Sequence, residues 1–155
     1  MAAILRPMIA CGVCLVLVAG LLSLAACEET GRAGVSVAPV KIKGKLFHLE
    51  IAADEGTRTR GLGGREHIEE DGGMIFVFPG REQQLGFVMR DCPIDIDVIF
   101  TDASGRILAM HAMKAEAPRG PEEGKTGEAV LKYEQRLKKY YSKNPSAFAI
   151  ELNTP

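Results

Sequence analysis

The chain has 155 residues, enough for one domain, with 46% hydrophobic residues, 25% charged residues and a formal net charge of -1. That balance argues against nucleic acid as a partner, because phosphate binding needs an excess of Lys and Arg. There is no Trp and only 6% of the residues are aromatic, so few rings are left to stack on bases.

The chain opens with Arg6 as its one early charge, followed from Pro7 to Ala26 by an uncharged run rich in Ile, Leu, Val and Ala. A basic start, an apolar core and small residues at the exit are the layout of a secretory signal. The run ends Leu24-Ala25-Ala26-Cys27, which resembles the bacterial lipobox. Cleavage then precedes Cys27, and that thiol carries the lipid. The alternative is an uncleaved anchor helix, since about 20 apolar residues span a bilayer. Both readings place the domain outside the cytoplasmic membrane, and the membrane is its first expected partner. Cys11 and Cys14 leave with the signal and Cys27 is lipidated, so Cys92 alone remains and no intramolecular disulfide is available. Cys92 reads as a buried, inert thiol. The division that follows is a lipoprotein signal over 1–26, a flexible tether over 27–38 and a folded domain over 39–155.

Val40 to Ile42 and Leu46 to Ile51 flank Gly44-Lys45 and predict a hairpin, with Phe47, Leu49 and Ile51 on one face and His48 and Glu50 on the other. Asp54 is placed to cap a short helix that Gly63-Gly64 ends. Arg58 and Arg60 within it do not share a face, so one points to solvent while the other is free to turn inward. Met74 to Phe78 is apolar on both faces and predicts a central strand. Asp102-Ala103-Ser104-Gly105 closes a hairpin whose return strand runs from Arg106 to Lys114. Ala115 to Gly127 is a loop. Glu128 to Tyr141 carries Val130, Tyr133, Leu137 and Tyr140 at helical spacing and predicts a helix stopped by Asn144-Pro145. Ala147 to Leu152 makes a last strand.

The stretch from Phe87 to Gly105 concentrates the charge. It reads as a strand, a kink at Pro93 and a second strand in which Ile94, Ile96, Val98 and Phe100 alternate with Asp95 and Asp97. Arg90 and Asp91 stand just before the kink. A buried charge must be paired or neutralised, so the candidate site is placed here.

Thr-Arg-Gly-Leu at 59–62, Asp-Gly-Gly-Met-Ile-Phe-Val-Phe-Pro at 71–79, Phe-Val-Met-Arg-Asp-Cys-Pro-Ile-Asp-Ile-Asp-Val-Ile-Phe at 87–100, Asp-Ala-Ser-Gly-Arg-Ile at 102–107 and Phe-Ala-Ile-Glu-Leu at 148–152 together resemble the DUF192 family, a domain of unknown function. The resemblance covers nearly everything after the tether. It implies a mainly β domain, a compact antiparallel β-sandwich or barrel-like fold with one or two short helices, and it implies no established reaction. The chain departs from the family pattern at Val88-Met89-Arg90-Asp91, where Trp-Met-Lys-Asn is common, and at Asp95, where Pro is common; Asp97 matches. The family normally adds a Gly-rich segment and one more strand after the late strand. This chain stops at Pro155, so a truncated or divergent copy with an unpaired sheet edge is expected.

Three functions follow. The first is an uncharacterised cell-envelope lipoprotein whose domain binds a small molecule or an envelope protein without catalysis or cofactor, using a cluster of Arg60, Arg90, Asp91 and Asp97. Arg side chains grip anions or sugars bidentately. The competing structural reading has Arg60 or Arg90 simply pairing with Asp97. The second is an envelope hydrolase with Asp95 and Asp97 as acid and base. The third is soft-metal binding through Met89, His111 and Met113, a ligand set that suits Cu(I), with spacing similar to part of the periplasmic copper-chaperone motif.

Overall fold

A computed structural model describes residues 35–154. The signal, Cys27 and most of the tether lie outside the described residues. The elements in order are β1 (Val37–Ile42), β2 (Lys45–Ala52), α1 (Glu55–Arg60), β3 (Gly72–Val77), β4 (Gly86–Phe87), β5 (Ile96–Thr101), β6 (Ile107–Met113), α2 (Gly127–Arg136), β7 (Tyr140–Tyr141) and β8 (Phe148–Asn153). Six strands form one sheet in the order β1-β2-β3-β8-β5-β6, and β4 pairs with β7 in a small second sheet.

The domain is mainly β with two short helices, as the sequence implies. Two features differ from the compact antiparallel barrel or sandwich. β2 and β3 run parallel, so the sheet is mixed. A parallel pair needs a crossover, and α1 with the connection to Gly72 supplies it. The main sheet also stays open, with β1 and β6 at its edges. The last strand is not an edge, because β8 is paired on both sides, to β3 and to β5.

Alternation along the strands sorts the sheet into two apolar faces. One carries Ala52, Met74, Phe76, Ile96, Val98, Phe100, Met113 and Ala149, joined by Leu62, Leu85, Met89 and Cys92 from the connections and by Tyr140 of β7. Phe87 packs edge-on against Phe76 and Phe100 there, with ring centroids 4.9 and 5.5 Å away. The other carries Leu49, Ile99, Ile150 and Leu152, with Val40, Phe47 and Ile75 against them. β3 contributes to both, which is why its sequence is apolar throughout. Gly73 lets β3 approach β8: its φ is 150°, and a Cβ would lie 2.2 Å from the Glu151 carbonyl oxygen.

Asp54 does cap α1. Its carboxylate accepts the Thr57 backbone N–H at 2.8 Å and the Thr57 hydroxyl at 2.6 Å. The helix ends earlier than expected, at Gly61 rather than Gly63-Gly64, because Gly61 takes φ 52°, ψ -137°, a conformation a side chain would oppose. α2 is shorter too. It stops at Arg136, Leu137 is already extended, and Tyr140–Tyr141 pairs with Gly86–Phe87. Burial of the Tyr140 ring in the main core outweighs the helical spacing that the same residues show.

Candidate functional site

Arg90 and Asp91 sit in the turn after β4, and each holds a segment that follows much later in the chain. Arg90 forks onto Glu134 of α2, with Nη2 donating to Oε2 at 2.9 Å and Nε to Oε1. Asp91 accepts two bonds from Arg119, at 2.7 and 2.8 Å, and its backbone N–H donates to the Tyr133 hydroxyl at 2.8 Å. Arg119 and Arg136 lie against the Tyr133 ring, 3.7 and 4.7 Å from its centroid. Hydrogen bonds and charge from these partners pull the carboxyls of Asp91 and Glu134 below their usual range. The network fastens α2 and the 115–126 loop over the turn.

The expected cluster does not assemble. Asp97 stands in register with Leu152 and Ala112, on the face opposite Val98, and accepts the Thr154 hydroxyl at 3.2 Å. Strand alternation turns its carboxylate away from the core face on which Met89 packs. Arg60 is exposed, and the inward-turning arginine is Arg58, which donates to the Ala53 and Val77 carbonyls and covers Phe78. Asp95 lies before β5 rather than within it, where it accepts Lys114 Nζ at 2.6 Å and the Ala115 N–H at 2.8 Å. Asp95 and Asp97 thus face separate partners. Met89 and Met113 are buried in the main core, 1% and 0% exposed. His111 stands between Phe100 and Tyr140, and its Nε2 lies 2.8 Å from the Tyr141 carbonyl, to which it donates. That bond uses one of its two ring nitrogens. Cys92 is buried, and its thiol is pushed up to about 12 by loss of water and the nearby Glu151.

Sequence reasoning missed two clusters. Across the sheet, Glu50, Met74, Glu151, Val98 and His111 form one register row. Glu151 is 5% exposed, and burial raises its carboxyl to about 8 against the opposing pull of Arg65. Arg65 itself forks onto Glu50 with both contacts at 2.6 Å. No sequence signal beyond the polar positions of β2 and β8 points to this group.

The second cluster is an open groove of about 510 Å³ at the β6 edge of the sheet, lined by Met110, His111, Ala112, Lys138, Lys139, Tyr140, Tyr141 and Lys143. The His111–Tyr141 bond ties β6 to β7 in its floor. The signal was present as Lys-Lys-Tyr-Tyr-Ser-Lys at 138–143, hidden by the helix expected over it. A larger groove of about 720 Å³ lies at the 102–106 hairpin. Its polar groups satisfy one another: Asp102 accepts from Ser104 and Arg106, and Glu82 from the Ala103 N–H.

Fold and site define a mainly β domain with an open mixed sheet, an ion-paired helix strapped to one turn and a basic groove at one edge. A family model described as "Uncharacterized ACR" matches residues 38–153, so the chain belongs to the DUF192 family. No curated protein matches the chain. Among solved structures, a protein of Sinorhizobium meliloti 1021 provisionally described as a transcription regulator is similar at 22% identity and TM-score 0.56, covering 80% of this chain and 85% of its own. A protein of unknown function from Novosphingobium aromaticivorans DSM 12444 is similar at 20% identity and TM-score 0.55, covering 77% of this chain and 73% of its own. At these identities the likeness establishes the fold alone.

Proposed function

We propose that the protein is a lipid-anchored domain of the bacterial cell envelope that binds a ligand or partner and carries out no chemistry itself. The observation that carries the binding part is the groove between β6 and β7, whose charged lining is entirely cationic. The anchoring part rests on Leu24-Ala25-Ala26-Cys27 at the end of the apolar run. The charged residues of the Phe87–Phe100 stretch support a structural role, since Arg90, Asp91 and Asp95 each hold a fixed protein partner. A thiol raised to about 12 is a poor nucleophile at neutral pH, which favours binding over covalent catalysis.

Two experiments test this reading. Cys27→Ser in cells should block lipidation and leave the larger, unprocessed form; unchanged mobility and undiminished incorporation of labelled fatty acid would overturn the anchor. Native mass spectrometry of the full chain released from membranes in detergent should show a bound species beyond the attached lipid. A clean mass, with no ligand gained from envelope extract, would overturn the binding reading.

A further inference from the structure

We infer that the β6–β7 groove is a binding site for a phosphoryl-bearing anion. The inference deepens the binding reading above and does not depend on the anchor. Lys138, Lys139 and Lys143 are all exposed around one concavity. Among the described residues, none of the three has a carboxylate in salt-bridge range, whereas Lys45, Lys114 and Lys132 each have one. Ammonium groups gathered without counter-charge repel one another, and a multiply charged anion relieves that repulsion. Glu116, on the loop before α2, accepts the Lys138 backbone N–H at 3.3 Å and lies 3.5 Å from Arg136, so its charge is already matched.

Two further features shape the ligand. Lys138 is held over the Tyr140 ring, 4.8 Å from its centroid, which fixes one ammonium at the groove wall. Tyr141 and Met110, 48% and 54% exposed, add apolar surface beside the lysines. A cationic pocket with an aromatic and thioether rim suits a phosphoryl group attached to an organic body. Lysine ammoniums act on phosphate as point charges, tolerant of what the phosphate is attached to. The phosphoryl group can come from an anionic lipid headgroup or from a free phosphorylated solute. Residues 28–36 cannot reach further than about 30 Å even when fully extended. On the anchored protein, this keeps the domain near the headgroups.

The test titrates the full chain in uncharged detergent by calorimetry with two probes, inorganic pyrophosphate and phosphatidylglycerol mixed into the micelles. The variants are Lys138→Gln/Lys139→Gln/Lys143→Gln and, with the same loss of charge elsewhere, Lys41→Gln/Lys43→Gln/Lys125→Gln. All six positions are exposed, and melting curves matched to the parent confirm folding. Saturable binding is expected to weaken roughly tenfold in the groove variant and to change less than about twofold in the other. Binding of pyrophosphate assigns a free solute as a competent source; binding confined to phosphatidylglycerol assigns the lipid. No saturable binding of either probe, or equal weakening in both variants, overturns the site.

Discussion

Glu151 sits in β8 between Met74 and Val98, and loss of water around its carboxyl raises it to about 8. The sign of the consequence follows from proton counting. The folded chain holds this proton up to about pH 8, while the unfolded chain releases it near the ordinary glutamate value of 4.5. The stabilisation is therefore complete below that value and is lost as pH rises towards 8. Glu151→Gln keeps the shape and removes the titration. Its unfolding free energy from denaturant melts should stay flat from pH 5 to 8 while the parent's falls, the gap at pH 8 being on the order of a few kcal/mol. Parallel curves would show that Glu151 is ionised in the folded protein. None of this was visible from the sequence. Along the chain Glu151 is one polar position in an alternating strand, and burial of a carboxyl depends on what packs over it. The burial of Cys92, by contrast, is legible in the sequence, because an unpaired cysteine is among the most often buried residue types.

At the scale of elements, the fork of Arg90 onto Glu134 attaches α2 to the turn after β4. Both side chains are about one-third exposed, 36% and 31%, so solvent screens the pair. A double-mutant cycle with Arg90→Leu and Glu134→Leu should return a coupling of about 1 kcal/mol in denaturant melts; the same cycle with Asp97→Leu in place of Glu134→Leu should return none. Coupling to Asp97 instead would contradict the register. Gly73→Ala tests the sheet more severely, since the new Cβ collides with the backbone of β8 rather than with a side chain that can move. We expect destabilisation of roughly 3 kcal/mol or more in the same melts; a neutral result would mean that the two strands are further apart. Hairpin and cap signals were legible at this scale because they act within a few residues: Asp54 on Thr57, and Asp102 on Ser104 and Arg106. The end of α2 was not. Tyr140 has correct helical spacing, and only the distant Gly86–Phe87 strand pulls it out of the helix.

For the whole molecule, two opposed titrations set the pH range of the fold. Asp91 and Glu134 titrate below their usual range because arginines hold them, and this stabilisation is present above the ordinary carboxylate values and is lost as pH falls through the lowered ones. Glu151 acts in the reverse direction at higher pH. Stability should therefore peak under mildly acidic conditions, near pH 5, and decline on both sides. Thermal melts from pH 2 to 9 measure this, and a maximum at pH 8 or above would contradict it. On the acid side, hydrogen exchange should report loss of protection in α2 before β8, since the lost pairs join α2 to the turn whereas β8 is held by two ladders.

The sequence alone established the class of the domain, its family, its central strand and the short-range devices that start and stop its elements. These depend on alternation, turn chemistry and capping, which act between near neighbours along the chain. The charges of the Phe87–Phe100 stretch were also visible, but their partners were not. Arg90 and Asp91 meet residues more than twenty positions away, on α2 and the loop before it, and nothing local encodes that pairing. The tertiary structure likewise decided that β2 and β3 run parallel, that β8 lies inside the sheet, and that Lys138, Lys139 and Lys143 line one groove. Each of these results from which surfaces exclude water against which others, and that is fixed only when the whole chain is packed.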